Sequence, residues 1–283
     1  MTLDNISERA EKTLLVDAGF VVAISVLLAI IHFLTSPSLK LALAFDHQKF
    51  EFWTLLTSAY VHAGPEHLIN NVMGFLVAAV MALNFCRYLD ERSWFYATSL
   101  ALLLVLPILV NLTSYAIIGV VAPEASPIGR GFSGVGAGFL GFVLAVFLVW
   151  TAKRSSWAIT QYVGYGIVLL LLLEIAVIYS GIRLDLLGVT VAGLVATGWG
   201  FSREVNLEEI HQNLREWLPE FGLSIVMLGF LGLFILLLFP TDIANGDMTV
   251  NIFAHAAGLV YGAALALVIW SGVKSPHPLG LMT

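Results

Sequence analysis

One cysteine, Cys86, among 283 residues excludes an internal disulfide framework and leaves the redox compartment unread. Charge is scarce too: charged residues make up 11% of the chain, about half the share of an ordinary soluble domain, which excludes a conventional solvated surface. Thirteen Lys and Arg stand against nineteen Asp and Glu, a formal net charge of −6, so there is no basic stripe and nucleic acid is not a partner. No His-Glu-x-x-His pair is present. His62 and His67 lie five residues apart, and the acid between them, Glu66, does not directly follow His62, so no metal ligand set has the expected spacing and neither a metal nor another cofactor is expected. Internal repeats are absent, as are low-complexity runs beyond leucine-rich stretches.

What fills the space is apolar: 59% hydrophobic residues and a mean hydropathy of +0.92 define a polytopic membrane protein. A hydrocarbon core of about 30 Å needs about 20 apolar residues at 1.5 Å rise. Eight segments approach that length: 14–35, 66–86, 94–118, 132–151, 158–180, 184–201, 221–239 and 251–270. In the sixth, Gly188, Gly193, Gly198 and Gly200 lower helix propensity, yet small residues are what close packing between membrane helices uses. The first apolar run has no small-residue cleavage site after it, and Met1–Lys12 carries acids beside Arg9 and Lys12, so a retained first helix is expected rather than a signal peptide.

The distribution of basic residues orients the chain. With both termini inside, nine of the thirteen fall on the cytoplasmic side, and Lys40, Lys49, Arg130 and Arg183 outside. The starts of the second, fourth and eighth segments then share the outer layer, provided an even number of crossings separates Ser133 from His255. Residues 36–62, with Phe50, Phe52 and Trp53, read as an outer loop partly embedded at the interface. Residues 203–220 set Leu207, Ile210, Leu214 and Trp217 at helical spacing against Glu208, Glu209, Gln212 and Arg215. That pattern suits an amphipathic helix on the cytoplasmic surface, or equally a solvated connector. The expected organisation is a single membrane domain over 1–283, its core formed by 14–151 and 221–270, with 157–220 as inserted helices and connector.

Three clusters of polar residues fall in that outer layer. Ser133 follows Gly131 and is followed by Gly134, Gly136 and Gly138, so neighbouring backbones can approach its hydroxyl. His255 is the only histidine of the last segment, and Gly258 and Gly262 lie on or near its helical face. A serine and a histidine within hydrogen-bonding reach form the smallest workable nucleophilic pair, and reactive polar groups are costly in hydrocarbon unless function keeps them there. Pro65 suits a first helical position, which places His67 and Asn71 one turn apart on one face. Two such donors could face a developing oxyanion, a contribution of about 3 to 4 kcal/mol each. Each cluster alone also fits ordinary roles: packing for Ser133, packing or proton relay for His255, capping and interface solvation for His67 and Asn71.

Taken together, Trp53–Asn71, Gly131–Gly134 and Ala254–Gly262 resemble the three signature regions of rhomboid intramembrane serine proteases, covering about a third of the chain. The resemblance implies a rhomboid-like helical bundle in which Ser133 is the nucleophile and His255 its general base. His67, Asn71 and the Ser133 backbone N–H would be the oxyanion donors, His62 a further histidine at the mouth, and Gly131, Gly134, Gly258 and Gly262 site-supporting. It also implies transmembrane protein substrates, small residues at the cut and no acidic third member. Two departures stand out. The family core has six helices, with two fewer spans between serine and histidine than are counted here. Ala137 also occupies the position, four after the serine, where some members carry a tyrosine that stacks on the histidine.

Glu174 lies inside the fifth segment, where an ionised carboxylate is costly. A neutral acid bonded to a neighbouring helix is the simplest reading, and a functional extra module the alternative. Asp17 reads as an interface residue. The competing functions are a catalytically silent rhomboid-like protein that binds membrane helices, and a proton-coupled transporter using Glu174 and His255. The expected location is a lipid bilayer, the plasma (inner) membrane of a prokaryote, with the site toward the extracytoplasmic side. Nothing in the sequence sets an oligomeric state.

Overall fold

In a bilayer every backbone polar group must be satisfied within the chain, and long apolar runs can do this only as helices. The computed structural model describes residues 3–121, 128–205, 214–239, 244–245, 248–249 and 251–273. Its helices are α1 Leu3–Leu34, α2 Pro37–Leu43, α3 Thr54–Thr57, α4 Pro65–Tyr88, α5 Arg92–Leu104, α6 Leu106–Val121, α7 Ser133–Arg154, α8 Trp157–Ser180, α9 Leu184–Glu204, α10 Leu214–Leu238 and α11 Ile252–Val273. Six are long and apolar enough to cross a membrane, over Thr13–Leu34, Pro65–Tyr88, Ser133–Arg154, Trp157–Ser180, Leu184–Glu204 and Ile252–Val273. The protein is therefore an all-α, multi-pass integral membrane protein. The glycine-bearing segment at 184–201 is helical throughout; of the amphipathic pattern expected over 203–220, residues 206–213 lie outside the described residues and the helix from Leu214 onward is the start of α10.

The run expected as one span at 94–118 is instead α5 and α6 meeting at 42°, a seventh span if the bent pair crosses as one. Pro107 explains the break, because it has no N–H for the carbonyl of Leu103 one turn earlier. The Tyr60 hydroxyl donates to that freed carbonyl instead. Within α10 the apolar stretch is shorter, Gly222–Leu238.

The chain divides into two compact units. One unit comprises Met1–Val143 with Phe253–Thr283, and the other Leu144–Ile252, which takes in the helix at 221–239. In the first, Phe75 makes edge contacts with Phe132 and Phe139 at 5.4 and 4.9 Å, and Trp94 packs on Phe142 at 5.4 Å. The Trp94 indole N–H donates to the Ala266 carbonyl at 2.7 Å and so ties α5 to α11. Asp17, expected at the interface, is fully buried. Arg92 holds it with Nε at 3.2 Å and Nη2 at 2.5 Å, and the Tyr96 hydroxyl donates to it as well. Asp17 is the buried partner, with Arg92 partly exposed, so removing the arginine would leave a buried carboxylate without its main partner.

In the second unit, α8 and α9 approach through glycine. A Cβ on Gly193 would meet Leu169 Cδ1 at 3.0 Å, and one on Gly200 would overlap the Tyr162 ring. Glu174 lies beside α10, its Oε2 3.4 Å from where a Cβ on Gly232 would sit. A two-residue hairpin pairs Ala244 with Thr249 and Asn245 with Met248.

Candidate active site

Within the first unit, the segment leading into α7 is fixed residue by residue. The ribbon formed by β1 (Phe45–Asp46) and β2 (Ile128–Gly129) pairs Phe45 with Gly129 and Asp46 with Ile128. Next, Gly131 N–H donates to the Ser58 carbonyl at 2.9 Å, and Phe132 N–H donates to His62 Nε2 at 3.3 Å. Gly131 has φ of +124°, a conformation that side chains rarely adopt. Ser133 follows as the first residue of α7, half-buried, its backbone N–H among the donors a helix start leaves unpaired within the helix.

The histidine and asparagine of α4 meet this segment. Pro65 is the first residue of α4 and Gly64 its cap, so His67 and Asn71 occupy the first two turns. A Cβ on Gly131 would lie 2.6 Å from His67 Cε1, 2.7 Å from His67 Nε2 and 3.2 Å from Asn71 Nδ2. Both side chains therefore rest against the backbone two residues ahead of Ser133. Asn71 Nδ2 is buried with no hydrogen-bond partner among the described residues, as is Nδ1 of His62 and of His67. A buried, unpaired amide donor costs free energy unless something accepts from it.

His62 is buried, and its ring lies 5.3 Å from that of His67 and 6.4 Å from that of His32. Burial first, then the fields of His67, His32 and Lys40, push its pKa down to about 3. His62 is thus a neutral imidazole whose unprotonated Nε2 accepts from Phe132. Among the described residues, no group of three or more His, Cys, Asp or Glu is placed to hold a metal ion.

The last helix reaches the first turns of α7 through glycine. A Cβ on Gly258 would fall on the Gly134 carbonyl oxygen and lie 3.1 Å from the Ala137 Cβ. One on Gly262 would lie 2.5 Å from Gly138 Cα, and one on Gly141 would be 2.7 Å from Ala263 N. Gly134 and Gly138 on α7 thus interlock with Gly258 and Gly262 on α11, the small-residue crossing by which membrane helices approach closely. At the top of this crossing, the Ala254 carbonyl lies 3.7 Å from a Cβ position on Gly134. Those two residues are the immediate neighbours of His255 and Ser133, and His255 itself is buried. Ala137 has a physical reason here: it is fully buried at the crossing, where a tyrosine would push the helices apart.

Ser133, His255, His62, His67, Asn71 and the four glycines thus all belong to one unit. Glu174 belongs to the other unit. Two contributors escape a reading of motifs. Asn111 Nδ2 donates to the Leu55 carbonyl at 2.8 Å and to Ser58 Oγ at 2.9 Å, and Thr113 shares a 2.9 Å hydrogen bond with the Tyr261 hydroxyl. Their one sequence signal is a pair of polar residues inside an apolar run. No protein-family model matches the chain, and no significant match exists among the curated proteins or the solved structures.

Proposed function

We propose that the protein is a rhomboid-type intramembrane serine endopeptidase that cleaves transmembrane segments of other proteins. The observation that supports this most is the glycine crossing of α7 and α11, which puts the residues flanking Ser133 and His255 in contact beside His67 and Asn71. Ser133 Oγ attacks the scissile carbonyl while the His255 imidazole takes its proton. Charge developing on the carbonyl oxygen is met by His67, by the Asn71 amide and by the Ser133 backbone N–H. His255 then protonates the leaving amine, the C–N bond breaks, and the acyl group remains on Ser133. Water, deprotonated by His255, hydrolyses the ester and restores the serine. A substrate helix must unwind locally first, because its carbonyls are engaged in its own hydrogen bonds.

The same reading extends to topology. α7 and α11 start at one level, so the chain between them crosses an even number of times. With α7, α8 and α9 long enough to span, α10 completes the return, for eight crossings with both termini cytoplasmic and the site on the extracytoplasmic side of a prokaryotic plasma membrane. The test is reconstitution in liposomes with a panel of single-span proteins carrying small residues near one membrane face. Wild type is expected to release a fragment cut near that face, and Ser133→Ala to release none. Equal fragment release by both would reject the proposal. Specific capture of such helices without cleavage would favour the silent helix-binding alternative.

A further inference from the structure

The two proposed reacting residues are delivered by different parts of the chain, Ser133 at the start of α7, where the preceding loop enters it, and His255 by a helix more than a hundred residues later. One helix touches both deliveries. Asn111, on α6, donates to Leu55 and Ser58, and the Ser58 carbonyl accepts the Gly131 N–H. Gly131 is the residue against which His67 and Asn71 rest. A path of two hydrogen bonds therefore runs from Asn111 to the backbone that presents Ser133 to its oxyanion donors. Half a turn on, Thr113 bonds Tyr261, on the same helix as His255 and six residues beyond it. One residue before Asn111, Val110 packs on Gly134, its Cγ1 3.2 Å from a Cβ position there.

We infer that α6 is a positioning helix for the dyad: Asn111 sets the loop that delivers Ser133, and Thr113, through Tyr261, sets the rotation of the helix that delivers His255. Neither residue touches the substrate in this account. Ser58 is buried and Asn111 partly so, and an amide buried in an apolar run is retained where its partners matter. Fixing a nucleophile and its base within a few tenths of an ångström is what proximity catalysis requires, and small misplacements are costly in rate. The inference rests on the protease reading, but its structural half can be tested without it.

Two measurements on the full-length protein in detergent micelles separate the cases: backbone amide exchange over residues 128–132, and fluorophosphonate labelling resolved into a maximal rate, an apparent affinity and a labelled fraction. For Asn111→Leu, exchange over 128–132 should accelerate and the maximal labelling rate fall, each about tenfold, as for the loss of one buried hydrogen bond. Apparent affinity and labelled fraction should hold. Thr113→Val should lower the same rate about threefold, with Thr113→Ser, which keeps the hydroxyl, at the wild-type value. If labelled fraction or melting temperature falls while the rate constant holds, α6 is merely structural and the inference is wrong. Failure of the wild type to take the probe would sink the protease reading. The positioning claim would then rest on exchange alone, with acceleration over 128–132 supporting it and no change overturning it.

Discussion

The two units of this protein use the same material, apolar helices and glycine, to different ends. In the first, glycines clear space for polar side chains and a close helix crossing: Gly131 makes room for His67 and Asn71, and Gly134, Gly138, Gly258 and Gly262 bring α7 and α11 into backbone contact. In the second, Gly193 and Gly200 make room only for Leu169 and Tyr162. Polar residues divide the same way. Asn111, Thr113, Tyr60 and Asp17 in the first unit each hold partners distant in sequence, whereas the second has Glu174 beside Gly232, a carboxyl against bare backbone. A small-residue face is therefore not by itself a sign of a site. What marks the site is a glycine face flanked by buried polar groups whose geometry is over-determined.

That contrast can be broken by substitution, and the largest effect is expected at Gly131. Gly131→Ala would place a Cβ against His67 in a backbone conformation that alanine resists. Labelling of Ser133 should fall by about 10²- to 10³-fold, the scale of losing an oxyanion donor. An unchanged rate in folded protein would show that His67 and Asn71 play no part. Asn71→Ala comes next, with maximal cleavage rate down about 10²-fold and little change in apparent affinity, since its amide is needed mainly in the transition state. An equal rise in KM with no loss of kcat would make Asn71 a substrate contact instead.

A pH effect of intermediate size follows from His62. Folded, its pKa lies at about 3, against 6.5 for an exposed histidine, so the unfolded chain binds the extra proton first. The stability it contributes is full above about pH 6.5 and declines as pH falls toward 3, at no more than about 1.4 kcal/mol per pH unit. Thermal melts of wild type and His62→Gln across pH 7 to 4 check this. The wild type should lose more stability on acidification, and parallel curves would place the burden elsewhere. The smallest effect is expected in the second unit, where Glu174→Gln should leave labelling within about twofold of wild type, because no residue of the proposed site belongs to that unit. A collapse of activity there would erase the distinction between the units.

Much of the architecture was open to reading because a bilayer leaves apolar runs few choices. Each expected span falls on helix, and even the glycine-bearing segment at 184–201 does so, since neighbouring helices reward small residues in membranes. The bend at Val105 was not anticipated, although Pro107 is its visible cause; Tyr60, which takes up the freed Leu103 carbonyl, lies 43 residues from Leu103. Ser133, His255, His67 and Asn71 stood out because reactive residues beside glycines form local patterns. Asn111 and Asp17 did not, because their partners are 53 to 56 and 75 residues distant and no local pattern encodes them. Ala137 could be noted as a departure, but its reason, the close approach of Gly258, exists only in three dimensions.

The central claim is that Ser133 is activated by His255 across the glycine crossing. It is tested most directly by fluorophosphonate labelling of the purified protein, with the adduct mapped by mass spectrometry, beside Ser133→Ala and His255→Ala variants shown to be folded. The account predicts an adduct on Ser133 that disappears in both variants. Persistent labelling of Ser133 in His255→Ala at the wild-type rate, or no adduct with several inhibitor classes, would contradict it.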